Sequence, residues 1–383
     1  MARRRPLAVL AAVAAALVVP ASAHAGPGSS NTAIVSLGDS YISGEAGRWQ
    51  GNSINPAGDR DGTDRAAFDC VAVVCSYDPA RVYGATAANG CDRSDVAEVK
   101  SATITVDAKV NFACSGATTA NIFRASQGGE PFKGEPTQGD RLLFLAHASN
   151  VKLVVLSIGG NDLGFASIVQ ECATAYLAHQ APCRTSQQQV LDSKFQPAMR
   201  AVGRAIDEIR AIMANAGYTN ANYKFVVQSY PSVFVRASEN RYAEIDVAQR
   251  AGVGGCPSYD TDANWARDSV VNQIANGIKF VAVSKGVRFL DLRDAFQGRE
   301  ICSTSTSQAS LTQPPSATTS EWGRLLNQST VTQGVLQEAV HPNAYGERAL
   351  GRCLTLIYAS PANGGKCTNV AGQGPDAMQF APF

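Results

Sequence analysis

Histidine is scarce in this 383-residue chain: there are four, and His24 falls within an apolar N-terminal leader. That leaves His147, His179 and His341, far apart, and no Cys-x-x-Cys pair accompanies them, so a zinc site has no ligand set. The phosphate-cradling Gly-x-x-x-x-Gly-Lys-Ser/Thr loop and the dinucleotide Gly-x-Gly-x-x-Gly are missing. So is the Gly-x-Ser-x-Gly nucleophile elbow. Nucleotide chemistry and the α/β-hydrolase fold lose their usual support, and neither a metal nor any other cofactor is called for. Charge is thin at 17% of residues with a formal net charge of +1, so there is no electrostatic footprint for nucleic acid. Past the leader no run of 18 apolar residues occurs, and no stable membrane anchor is expected. No internal repeat is visible.

What is present begins with Arg3, Arg4 and Arg5, an apolar run over 7–19, and Ala23-His24-Ala25. These are the basic, hydrophobic and small-residue parts of a secretory signal peptide, so residues 1–25 are set aside and a secreted, extracellular monomer is expected. The arginine run leaves the twin-arginine route open. All ten cysteines follow the leader, which fits an oxidising compartment and up to five disulfides. Spacing does not decide their connectivity. Joining neighbours that close modest loops gives Cys70 with Cys75, Cys91 with Cys114, Cys172 with Cys183, Cys256 with Cys302, and Cys353 with Cys367.

The remaining length would allow two domains on size alone. Short Val/Ile/Leu/Phe runs at 33–37, 109–113, 152–158, 223–228 and 287–292 end in small or polar residues, the pattern of strands buried on both faces. Between the third and fourth, Met199, Val202, Ile206, Ile209, Ile212 and Met213 recur at helical spacing and predict a core-facing helix within 187–216. A helical stretch over 263–285 precedes the fifth run, and 347–358 reads as a final helix. Strands alternating with helices predict a doubly wound α/β sandwich with a mainly parallel five-stranded sheet. Irregular cysteine-bearing insertions are expected at 50–91 and 252–260. The Ser/Thr/Gln/Pro-rich segment 303–320 is expected to be a solvated loop or a cover over a cleft.

Three of the apolar runs stop at residues with chemical uses. The first ends in Gly38-Asp39-Ser40, the second in Cys114-Ser115-Gly116-Ala117-Thr118, the third in Gly159-Gly160-Asn161-Asp162. Near the far end stands His341-Pro342-Asn343. A serine hydroxyl is a weak nucleophile and needs a base within hydrogen-bond reach, a task that suits imidazole. Charge developing on an attacked carbonyl oxygen needs preorganised donors. Ser40 as nucleophile, His341 as base, and the Ser40 N–H, Gly116 N–H and Asn161 amide as oxyanion donors satisfy both needs. Asp39 and Asp162 are assigned to holding loops. On this reading hydrolysis falls away on acidification through one ionisation near the ordinary histidine range.

These four blocks, in this order, resemble the SGNH hydrolases, or GDSL esterase and lipase family, and in particular its secreted branch from actinomycete bacteria. The resemblance spans residues 34–346. It implies a flavodoxin-like three-layer α/β/α sandwich, one domain over 26–383, and the oxyanion roles just given. It also supports the pairings Cys91 to Cys114, Cys172 to Cys183 and Cys256 to Cys302. One position departs from the pattern: where many members carry Asp three residues before the histidine, this chain has Glu338. Glu338 is a candidate third catalytic member, and a Ser-His dyad whose imidazole is oriented by a backbone carbonyl stands beside it as the other arrangement.

The resemblance implies a carboxylic ester substrate, with acylglycerols, phospholipids and short-chain esters all within range. Trp49, Phe123 and Phe165, each near a catalytic block, are candidates for an acyl pocket as well as for ordinary core. The competing readings are a carbohydrate acetylesterase and a non-catalytic secreted wall- or carbohydrate-binding protein on the same shell.

Overall fold

A computed structural model describes residues 26–326 and 334–383; the expected leader, 1–25, lies outside the described residues. Nine strands occur among the described residues: β1 (Thr32–Gly38), β2 (Ala67–Val71), β3 (Val74–Tyr77), β4 (Ala108–Asn111), β5 (Asn150–Ser157), β6 (Lys224–Gln228), β7 (Arg288–Asp291), β8 (Gly364–Thr368) and β9 (Gln379–Pro382). Seven form one sheet of order β4-β1-β5-β6-β7-β8-β9. Neighbours run parallel except β8 and β9.

Side chains alternate across this sheet with the period of two that strands impose. Val35, Leu37, Val154, Leu156, Val227 and Phe289 enter one core with the helices Gln138–Ala148, Arg184–Asn215 and Val271–Ser284. Ile34, Leu153, Val155, Val226 and Leu290 enter the other, closed by the helix Ala344–Ala359. Both faces are covered, as a parallel sheet requires. The stripe from Met199 to Met213 is buried in the first core as its spacing predicts.

Three details differ from the expectation. The sheet has two strands beyond the predicted five. β8 opens Gly364-Gly365-Lys366 and has no apolar run to betray it; Cys367 ties it to Cys353 of the final helix instead. The helical stretch expected over 263–285 carries a π-turn, Ala266–Val270, between Asp260–Trp265 and Val271–Ser284. The insertion at 50–91 is partly regular: β2 and β3 make an antiparallel hairpin closed by Cys70–Cys75. The other disulfides are Cys91–Cys114, Cys172–Cys183, Cys256–Cys302 and Cys353–Cys367.

β1 lies between β4 and β5, so chain order reverses there, and the ends of these strands bound a crevice of the kind in which open α/β sheets bind ligands. Ser40, Gly116 and Asn161 follow β1, β4 and β5 respectively.

Candidate active site

β1 ends at Gly38 with φ 141°, where an added Cβ would lie 1.9 Å from the Ser157 carbonyl oxygen; only glycine fits. The Gln138 side chain clamps this residue, its Oε1 accepting from Gly38 N–H and its Nε2 donating to Gly38 C=O, both at 2.8 Å. Asp39 then caps the one-turn helix Ser40–Ser43 by accepting from Tyr41 N–H at 3.2 Å. Ser40 is held between these two fixed points.

His341 precedes the helix Ala344–Ala359, whose N-cap Asn343 accepts from the N–H groups of Tyr345 and Gly346. Its Nε2 lies 2.7 Å from Ser40 Oγ and its Nδ1 lies 2.8 Å from the Ala339 carbonyl oxygen. A carbonyl only accepts, so Nδ1 carries the proton and the Nε2 lone pair faces the serine hydroxyl. Burial pulls the imidazole down to about 4, against the opposing pull of the Ala339, Glu338 and Gln337 backbone. The acid limb expected near the ordinary histidine range therefore moves lower.

Glu338 is not brought to His341, which corrects its place as a candidate third member. It is buried and its two oxygens are engaged elsewhere: Oε2 accepts from Trp49 Nε1–H at 2.8 Å and Oε1 from the Tyr83 hydroxyl at 2.7 Å. Between Glu338 and His341 the chain turns through Val340 at φ 58°, a conformation that a β-branched residue rarely adopts. The turn is tied on both sides. Val340 N–H donates to Arg324 C=O, Arg324 N–H donates to His341 C=O, and the Tyr41 hydroxyl donates to Val340 C=O.

Gly116, at φ 84°, follows Cys114 and the Cys91–Cys114 bond. Asn161 sits in the one-turn helix Gly160–Leu163 and spends one amide hydrogen on Ala117 C=O at 2.8 Å; its amide has a second. Asp162 accepts from Thr119 N–H at 3.1 Å and Thr119 Oγ1–H at 2.6 Å, tying the Asn161 turn to the Gly116 turn. Asp39 does the same for the Ser40 side. Burial lifts its carboxyl to about 7, while hydrogen bonds from the Tyr230 hydroxyl and Tyr41 N–H favour the charged form.

Ser40, Gly116, Asn161 and His341 all line one pocket of about 690 Å³. Phe165, Val169, Ala173 and Leu177, every fourth residue of the helix Phe165–Leu177, form one wall. Val271 and Ile274 belong to the wall as well. Of the three aromatics singled out in the sequence only Phe165 contributes. Trp49 is fully buried with its indole on Glu338, and Phe123 is outside the lining. The segment 303–320 contributes nothing to the wall either; it packs against the insertion, with Ala309 N–H donating to Asn52 C=O at 2.7 Å.

Among the described residues one group of metal-capable side chains comes together, Cys172, Cys183 and Asp262. The two sulfurs are joined to each other, and Asp262 accepts from the N–H groups of Cys183 and Arg184 at the start of the long helix. Tyr41, Tyr230 and Gln138 hold the site together without having stood out in the sequence, because nothing local distinguishes them from packing residues.

A profile of the GDSL-like Lipase/Acylhydrolase family matches residues 80–349. Among solved structures, phospholipase A1 from Streptomyces albidoflavus NA297 superposes with a TM-score of 0.51 at 20% identity, over 86% of this chain and 99% of that one. The extracellular lipase of Streptomyces rimosus gives 0.46 at 19% identity, over 86% and 100%. A putative arylesterase from Agrobacterium tumefaciens gives 0.35 at 14% identity, over 85% and 97%. At such identities the likeness concerns the fold. No curated protein matches the sequence.

Proposed function

Since the chain belongs to the GDSL-like lipase/acylhydrolase family and is a carboxylic ester hydrolase, we propose that it is a secreted serine esterase acting on long-chain acyl esters. The observation that carries this reading is the 2.7 Å approach of His341 Nε2 to Ser40 Oγ in the lining of a largely apolar pocket of about 690 Å³.

In the first step Ser40 Oγ attacks the ester carbonyl carbon while its proton passes to His341 Nε2. Ser40 N–H, Gly116 N–H and the Asn161 amide receive the oxyanion; a single donor of this kind is worth about 10²–10³ in rate. The imidazolium returns its proton to the leaving alcohol, and an acyl group remains on Ser40. Water, deprotonated by the same Nε2, then releases the acid. The Ala339 carbonyl fixes the tautomer that this sequence requires.

The walls favour a long acyl chain. The helix Phe165–Leu177 presents apolar residues to the pocket over twelve residue steps, about 18 Å at ~1.5 Å per residue. An acetyl group would leave that surface wet, so an acetylated carbohydrate is the less supported substrate. Export is supported by the leader and by the five disulfides. The test is hydrolysis of p-nitrophenyl esters from C2 to C18 by residues 26–383 and by Ser40→Ala. The expected result is turnover that rises with chain length in the first and vanishes in the second. Undiminished turnover by Ser40→Ala overturns the proposal.

A further inference from the structure

The three catalytic turns are not held by the sheet alone. Tyr230, two residues beyond the end of β6, places one phenol oxygen between two of them. That oxygen accepts from Gly160 N–H at 3.0 Å, while its own hydrogen goes to Asp39 Oδ2. Gly160 precedes Asn161 and Asp39 precedes Ser40, so one side chain spans the turn bearing the amide and the turn bearing the nucleophile. The ring stands edge-on to Tyr41, centroids 5.1 Å apart, and Tyr41 lies against the His341 ring at 5.0 Å. The double glycine before Asn161 has two separate explanations here. Gly159 takes φ 114°, and Gly160 makes room for the phenol: a Cβ there would meet the hydroxyl oxygen at 3.2 Å and Cζ at 3.3 Å.

We propose that Tyr230 is a positioning residue for the oxyanion site: its phenol keeps the Asn161 amide in register with the Ser40 N–H. The inference rests on the esterase reading. Phenylalanine keeps the ring and removes both bonds, so Gly160 and Asp39 lose their shared tether while the pocket keeps its shape. Donors displaced by a fraction of an ångström bind the flat ground-state ester as before and the tetrahedral species less well.

The experiment compares Tyr230→Phe with the parent protein on a C8 p-nitrophenyl ester and with an alkylboronic acid, which forms a tetrahedral adduct on the serine. The expected result is a fall in kcat of about 10- to 100-fold, KM within twofold, and a boronate inhibition constant raised by the same factor as kcat/KM falls. A double variant with Asn161→Ala tests whether the phenol acts through that amide. The double variant is expected within threefold of Asn161→Ala alone. Losses that multiply, or a Tyr230→Phe enzyme with parental kcat, overturn the inference. Should Tyr230→Phe not fold, Gly160→Ala decides, because its methyl crowds the phenol while leaving it in the chain; unchanged kcat there also overturns it. Full activity in Ser40→Ala would sink the esterase reading itself, a separate outcome.

Discussion

Replacing Glu338 by glutamine separates two accounts of how the imidazole is oriented. If Glu338 were the third member of a triad, removing its charge would cost of the order of 10⁴ in the acylation rate. The structure predicts otherwise, because the carboxylate faces Trp49 Nε1–H and the Tyr83 hydroxyl while His341 Nδ1–H is satisfied by Ala339 C=O. Glutamine keeps one oxygen to accept from Trp49 Nε1–H, and its NH₂ can donate to the Tyr83 hydroxyl oxygen, whose own hydrogen has the Glu45 carbonyl as a second acceptor; both contacts survive without the charge. Hydrogen bonds to a charged group are worth about 1.5–3 kcal/mol against about 0.5–1.5 kcal/mol between neutral partners, so each of the two contacts loses about 1–1.5 kcal/mol. The expected penalty is thus about 2–3 kcal/mol of stability, with less than a tenfold change in rate. Stopped-flow single-turnover ester hydrolysis gives the rate, and urea unfolding gives the stability. His341→Ala serves as the reference for losing the base. A rate loss of 10³ or more in folded Glu338→Gln would refute the reasoning.

Four other outcomes follow. The imidazole titrates near 6.5 when unfolded and about 4 when folded, so unfolding takes up a proton between these values. Stability should fall as pH drops through that window, and kcat/KM should hold until pH nears 4; a half-point at 6.5 refutes the shift. Each methylene added to the acyl chain should raise kcat/KM about fourfold, from ~0.8 kcal/mol per buried CH₂, until the pocket is full. Ala173→Phe should abolish that gain for C12 and longer while leaving C2 and C4 esters unaffected, read from the same chain-length series. Removing Cys172–Cys183 with a double alanine variant should cost about 2–4 kcal/mol in urea unfolding, and equal stability would refute a structural role for that bond.

The parts of the fold that were legible are those in which burial dictates composition. β1, β5 and β6 lie inside a parallel sheet and need apolar residues on both faces, so their runs stand out. β8 and β9 sit toward the sheet's edge with glycine, lysine and proline, held by Cys353–Cys367 and their neighbours. The sequence carries no periodic mark of that kind of support. That Ser40, Gly116, Asn161 and His341 would converge on one pocket was legible because residues with chemical uses ended three apolar runs, and the neighbouring strands β4, β1 and β5 end at one edge. Glu338 misled because three residues of separation do not say which way a side chain turns when Val340 intervenes at positive φ. Trp49 and Phe123 misled for the same reason, since nearness in sequence to a motif does not aim a ring at its pocket. Tyr230 was invisible because its role comes from two turns distant in sequence that only the folded sheet brings within reach of one oxygen.

The left-handed Val340 has a practical bearing on how this protein fails. Holding an L-residue there costs about 1–2 kcal/mol, and what holds it is a small set of bonds from Arg324 and Tyr41. Such a segment behaves like a sprung catch: mild urea or warmth should release the histidine arm while the sheet still gives a native spectrum. Catalysis would then vanish ahead of the fold, and return as fast as the catch can reset.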